Sequence, residues 1–332
     1  VLLNTMSFVQ SRAVVRYAAR RDRLVPTELV GRSPFAFTDA EVKRDFAVSK
    51  DGTRVPVSIV HRKDVRLDGS NATLLYGYGG YGISMAPYFS PLLRLWLDYG
   101  GVYAVANVRG GGEYGEPWHL AGNLTKKQNV FDDFAACLQL LIDKGYTNPG
   151  KAAIMGGSNG GLLMGATLVQ HPQLLRAVVS AVGIYDPLRW ELQPNGEFNV
   201  TEFGSVKDPD QFRALYAYSP FANARDGVGY PAALFTSGDN DGRVAPYESR
   251  KMTARLQATT SSSYPVLLRT EASAGHGIGT ALSTRIEEEA DVYAFLVDQL
   301  GMAALPAVAL AGAGDMDKSP VSARRGRAAG RR

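Results

Sequence analysis

Cysteine is nearly absent from this sequence: Cys137 is the only one in 332 residues. That excludes a disulfide within the chain and any multi-cysteine metal cage. Cys137 falls in the helical pattern Phe131-x-x-Phe134-Ala135-x-x-Leu138-x-x-Leu141-Ile142, which predicts a buried, structural thiol. No run of about 18 apolar residues occurs, so no membrane span and no membrane partner are expected. The chain opens on Val1 without a cationic segment, apolar core and cleavage site, so no signal peptide is expected in it. An excess of one charge is missing from the body. The formal charge of +4 sits in residues 311–332, with six Lys/Arg and two Asp/Glu, while the remaining 30 Lys/Arg and 30 Asp/Glu cancel. A nucleic-acid partner is therefore not expected. There is no internal repeat. With 45 % hydrophobic and 20 % charged residues the composition is globular, which excludes a mainly disordered chain.

Apolar, β-branched-rich runs appear at Val42–Ser49, Arg54–Val60, Ala72–Tyr76, Val102–Asn107, Ala152–Met155, Ala177–Val182, Ala232–Ser237 and Val266–Arg269. The first two flank Asp51-Gly52, a hairpin signal. The later ones alternate with helical stretches at Phe131–Lys144, Gly160–Gln170, Pro246–Ala258 and Ser283–Leu300. An antiparallel start followed by strand–helix alternation predicts a mostly parallel sheet of about eight strands with helices on both faces. Residues 1–41 offer one strand, around Ala13–Tyr17, and a linker; residues 42–300 form the main domain. Beyond Leu300 the sequence is Ala/Gly-rich and ends in arginines, so 301–332 is expected to be a disordered basic tail.

The chemistry centres on Gly156-x-Ser158-x-Gly160, entered from an apolar strand and left by an apolar helix. That is the context of a nucleophile elbow, in which small neighbours let the chain turn sharply and lift the hydroxyl above the sheet. The helix N-terminus behind it favours developing negative charge. A serine hydroxyl needs a base. Of the four histidines, His61 ends a hairpin strand and His171 precedes Pro172, both expected at the surface, and His119 lies in a loop. His276, in Gly275-His276-Gly277, alone follows an acid that itself follows Ser158, the order of hydrolase sheets. The acid belongs to the loop Gly238-Asp239-Asn240-Asp241-Gly242, where spacing alone leaves Asp239 and Asp241 open. A second glycine cluster, Tyr76-Gly77-Tyr78-Gly79-Gly80-Tyr81-Gly82, lacks the Lys-Ser/Thr of a phosphate loop and suits an oxyanion loop. The N–H of Asn159 would be the other donor.

Together these blocks, with Asn107-Val108-Arg109-Gly110-Gly111-Gly112-Glu113-Tyr114-Gly115 and Asp241-Gly242-Arg243-Val244, resemble the catalytic domain of the prolyl oligopeptidase family of serine peptidases. The resemblance covers about residues 42–300. It implies an α/β-hydrolase fold, short peptides as substrates and no metal or cofactor. It also implies Asp241 as the acid, Tyr78 as an oxyanion donor, Arg243 on a substrate carbonyl, and Tyr81 and Ile184 lining the pocket before the scissile bond. Full-length members cover the site with a β-propeller. On this resemblance residues 1–41 hold at most its last strand and a linker, which implies self-association through the uncovered face. Asn199 stands where prolyl-specific members place a ring that stacks on proline, with Phe198 and Phe203 as substitutes. The segment also resembles the acidic stretch of the oligopeptidase B branch, in which Glu197 and Glu202 would favour basic residues. A broad esterase or acyl-peptide hydrolase shares the fold and triad, and a non-catalytic module would share the fold alone.

Overall fold

The structure is a computed structural model describing residues 1–303 and 305. It begins with strands β1 (Leu2–Thr5), β2 (Ala13–Ala18) and β3 (Arg23–Val30), paired antiparallel in a small sheet of their own. The expected single strand is thus three. β1 and β3 escape a reading by periodicity because few of their residues are buried, so neither needs an apolar face.

The main sheet has eight strands: β4 (Ala40–Val48), β5 (Arg54–Arg62), β6 (Thr73–Tyr76), β7 (Val102–Ala106), β8 (Ala152–Gly157), β9 (Ala177–Ala181), β10 (Ala232–Gly238) and β11 (Val266–Glu271). Their order is β11-β10-β9-β8-β6-β7-β5-β4. The hairpin β4–β5 and the β5–β7 pair are antiparallel, and every other pairing is parallel. The helices are α1 (Pro91–Asp98), α2 (Glu116–Leu120), α3 (Gln128–Asp143), α4 (Asn159–Gln170), α5 (Gly196–Phe203), α6 (Pro209–Tyr218), α7 (Pro220–Asn223), α8 (Tyr247–Thr259) and α9 (Leu282–Gln299). Among the described residues no helix is long and apolar enough to cross a membrane.

Strand side chains alternate between faces, and both faces here are covered. Leu75, Ile154, Val178 and Ala233 pack into the larger core with Phe134 and Cys137 of α3, Leu163 of α4 and Leu256 of α8. Their neighbours Leu74, Ala153, Val179 and Leu234 point the other way, onto Trp96 of α1 and Phe295 and Leu296 of α9. Burial on both faces explains the near-continuous apolar runs of β5 and β10. Cys137 is fully buried and unpaired. The expected tail lies outside the described residues except for 301–303 and 305.

Candidate active site

Ligand sites of such sheets form beyond the carboxyl ends of the parallel strands. Each group of the candidate site leaves one of those ends. Ser158 follows β8, the Gly77–Gly82 loop follows β6, Asp241 follows β10 and His276 follows β11. Ser158 caps α4 with φ 58° and ψ −119°, in the left-handed half of backbone space. Such a non-glycine conformation stores about 1–3 kcal/mol of strain. Local fit enforces it. A Cβ on Gly156 would meet the carbonyl oxygens of Gly77 and Gly160 at 2.8 Å, and one on Gly160 would meet the Gly77 oxygen at 2.8 Å. The elbow glycines therefore exist so that the oxyanion-type loop can press against β8 and α4. Ser158 N–H donates to Ala181 O at 2.8 Å and pins the turn to β9.

His276 Nδ1 lies 2.7 Å from Asp241 Oδ2. A carboxylate only accepts, so Nδ1 carries the proton and Nε2 is left with a lone pair. Asp241 is buried, and its Oδ1 accepts from the N–H groups of Arg243 and Val244 at 2.8 and 2.9 Å. Burial alone would raise its carboxyl. The bonds from His276 and the backbone outweigh that and hold it below the usual carboxylate range. Asp239 faces elsewhere, paired with Arg250 at 2.7 Å. Among the described residues no hydrogen bond joins His276 to Ser158.

Two donors surround the elbow. The Asn159 N–H opens α4, where a first-turn amide has no acceptor within the helix. The Asn159 side chain donates to Tyr78 O at 2.5 Å and ties the two loops together. Burial raises the Tyr78 phenol above its ordinary range, with the Ser158 hydroxyl and Arg243 pulling the other way, so the phenol keeps its proton at neutral pH.

A cavity of about 210 Å³ opens beside Ser158, lined by Tyr78, Tyr81, Ile83, Ile184, Trp190, Asn195, Asn199, Arg243 and Val244. Phe198, Glu202 and Phe203 do not line it. Phe198 is 73 % exposed, on the outer side of α5. Phe203 is buried behind the wall, edge-on to Tyr81 and Trp190. Glu202 is neither solvated nor available to a basic substrate. It is buried against Lys127 Nζ at 2.7 Å and His119 Nε2 at 2.8 Å. Glu197 is exposed. The expected surface histidines also differ: His61 is 3 % exposed and packs on Tyr146, and His171 is half-buried. His61 lies inside β5 under the Tyr146 ring, and His171 closes α4.

Trp190, Asn195 and Ile83 are wall residues that sequence reasoning missed. Trp190 opens a single 3-10 turn and Asn195 and Ile83 lie in loops, none of them in a periodic stretch. Glu248, on α8, was missed as their support. Its carboxylate accepts from the N–H of Tyr185 and Asp186, both at 2.8 Å, and from Gln193 Nε2 at 2.6 Å, clamping the segment that carries Ile184 and Trp190. Among the described residues no group of three or more His, Cys, Asp or Glu could hold a metal ion.

Residues 87–303 match the model of the prolyl oligopeptidase family peptidases. The chain belongs to the prolyl oligopeptidase family. It is 41 % identical over 261 residues to a prolyl endopeptidase of Elizabethkingia meningoseptica, covering 78 % of this chain and 37 % of that protein. Prolyl oligopeptidase B from Galerina marginata superposes with a TM-score of 0.87 at 35 % identity, over 91 % of this chain and 43 % of that one. Oligopeptidase B from Leishmania major gives 0.85 at 29 % identity, over 90 % and 42 %. The fold is thus the α/β-hydrolase fold of the family's catalytic domains, and the chain spans about two fifths of the length of the relatives it matches.

Proposed function

We propose that the chain is the catalytic part of a serine peptidase that hydrolyses short peptides through an acyl-enzyme. The observation that carries this is the strained Ser158 elbow standing at the same sheet edge as the Asp241–His276 pair. In this reading Ser158 Oγ attacks the scissile carbonyl carbon while His276 Nε2 takes its proton. The negative charge on the carbonyl oxygen is met by the Asn159 N–H and the Tyr78 O–H. As the C–N bond breaks, His276 gives that proton to the leaving amine. Water then attacks the ester, losing a proton to His276, and the acid product and free Ser158 are restored. Asp241 holds the imidazole in the required tautomer and stabilises it when protonated. Arg243, whose guanidinium makes no ion pair among the described residues, would take a substrate carbonyl.

The relatives' names point to cleavage after proline, and proline is the reference residue for the pocket. Cleavage after basic residues lacks support, because Glu202 is committed to Lys127 and His119. Exposed apolar side chains suit a protein surface, and self-association through them is part of the proposal. A serine-directed fluorophosphonate, with turnover on proline, arginine and simple ester substrates, tests the reading. Stoichiometric labelling of Ser158 with peptide turnover is expected. An unlabelled, inactive folded chain would leave only the non-catalytic module, and hydrolysis of esters alone would favour the broad esterase.

A further inference from the structure

The loop that follows Tyr78 is strained and tied down on its backbone. Tyr81 has φ 56°, between Gly79 at 68° and Gly82 at 63°. A non-glycine residue in that region persists only where its surroundings over-determine it. Two buried ion pairs that the peptidase mechanism leaves unused supply those surroundings. Lys127, just before α3, holds Nζ 2.7 Å from Glu202 Oε1 of α5 and donates from it to Gly79 O at 3.1 Å. His119 Nε2 lies 2.8 Å from the other oxygen of Glu202. The second pair lies in the glycine-rich block after β7. Arg109 donates from Nε and its backbone N–H to Asp133 Oδ2 of α3 at 2.9 and 3.0 Å, and from Nη2 to Oδ1 at 2.6 Å. The next residue, Gly110, accepts from Gly82 N–H at 3.0 Å and donates to Trp118 O at 3.0 Å. A Cβ on Gly110 would meet Gly79 O at 2.6 Å, and one on Gly112 would run into Gly82 O. Residues 109–112 are therefore the bed on which the loop lies, and their glycines permit that close approach.

We propose that Lys127 and Arg109 are positioning residues for the oxyanion donor: with Glu202 and Asp133 they hold the Gly79–Gly82 loop so that the Tyr78 phenol stands where negative charge develops. This rests on the peptidase reading above. Neither side chain belongs to the cavity lining beside Ser158, so each acts through the loop. Lys127 fixes its first carbonyl and Gly110, anchored by Arg109, fixes its last N–H. A donor aimed in advance stabilises the oxyanion without moving during the reaction. Misplacing such a group by about 1 Å can cost about 10²-fold in rate.

The test is a double-mutant cycle on kcat, read on a short peptide with proline before the scissile bond. Lys127→Met together with Glu202→Gln removes both buried charges at once, so neither is left uncompensated. Arg109→Lys keeps the charge but loses the fork that grips Asp133 at both oxygens. Each is made in the 332-residue chain and again with Tyr78→Phe, and melting temperature is measured beside turnover. Tyr78→Phe alone should lower kcat by about 10²–10³-fold. With Tyr78 present, each clamp variant should lower kcat by about 10–100-fold. Once residue 78 is phenylalanine the same variants should cost little more, because no phenol is left to misplace. Equal losses in both backgrounds, a loss confined to melting temperature, or full turnover by Tyr78→Phe would overturn the proposal and leave the peptidase reading intact. The two clamp variants are independent, so loss of fold in one leaves the other to decide. No turnover by the unmodified chain overturns both readings.

Discussion

Ser158 and its neighbours show how much a single residue's chemistry depends on atoms it never touches in sequence. The hydroxyl is presented by a φ of 58°, which holds because Gly156 and Gly160 leave room for the Gly77 carbonyl. Ser158→Ala should abolish peptide turnover and leave the melting temperature nearly unchanged, since it removes one half-buried hydroxyl; retained turnover in the folded variant would refute the nucleophile. Gly160→Ala is the opposite kind of change. Its methyl meets a backbone oxygen at 2.8 Å, and overpacking of that sort costs about 1–3 kcal/mol. A fall in melting temperature together with lost turnover is expected, and an unperturbed variant would show that the close approach is not required. The acids separate in the same manner. Asp241→Asn should reduce kcat by orders of magnitude, because the imidazole loses its orienting anion. Asp239→Asn breaks only a surface pair with Arg250 and should change kcat and stability little. If the Asp239 variant were the more damaged, the geometry of the pair would have been misread.

At the scale of elements, the buried network Lys127–Glu202–His119 joins the start of α3, the end of α5 and α2 around the loop that follows β6. Lys127 Nζ also donates to Gly79 O at 3.1 Å, and the Tyr81 N–H meets Glu202. Burial would raise the Glu202 carboxyl, but Lys127 and His119 bring it below its ordinary value. A depressed folded pKa means stability that is present above the unfolded carboxylate range and is lost as pH falls through the folded value. Melting temperature should therefore drop as pH is lowered below about 4.5, the ordinary carboxylate range. Glu202→Gln should flatten part of that acid limb, and an unchanged pH profile would argue against the ion pair. Lys127→Met leaves a buried carboxylate without its cation, a change that typically costs about 3–5 kcal/mol. None of this was legible beforehand, because Lys127 and Glu202 are 75 residues apart and no periodicity links them. By contrast, the eight strands and helices α3, α4, α8 and α9 were legible, since double-sided burial writes continuous apolar runs and amphipathic stripes into the sequence. Helices α1 and α6 start at Ser90-Pro91 and Asp208-Pro209, whose Ser90 and Asp208 side chains cap the first turn, but they are too short to write a long apolar stripe into the sequence. The elbow, the His276 loop and the loop of Asp239 and Asp241 were visible because small residues mark sharp turns, whereas the choice between the two acids came from the family resemblance alone. The cavity wall was not, since Trp190 and Asn195 reach it only through the clamp on Glu248.

For the whole molecule, the decisive feature is the distribution of exposed apolar side chains. Several follow site residues closely in the chain. Ile278 is 79 % exposed two positions beyond His276, Leu192 is 78 % exposed two beyond Trp190, and Phe198 is 73 % exposed beside Asn199. Ile83, in the cavity wall itself, is 45 % exposed. Exposed apolar side chains have two ways to leave water. They can bind an extended peptide, or they can bind another protein surface, and the second excludes the first. The chain should therefore self-associate as its concentration rises, with kcat/KM per chain falling in parallel as mouths are covered. Replacing Ile278 and Phe198 together by serine should shift the association to higher concentration and restore the activity per chain. While dissociated, the open mouth should accept long peptides as readily as short ones, but turn each over slowly, because water at the site weakens the stabilisation of the oxyanion. Sedimentation across a concentration series, run beside turnover against peptide length, measures both arms. A monomer at every concentration with a sharp cut-off at short peptides would mean that the site is closed by part of this chain itself, and the open-mouth account would fall.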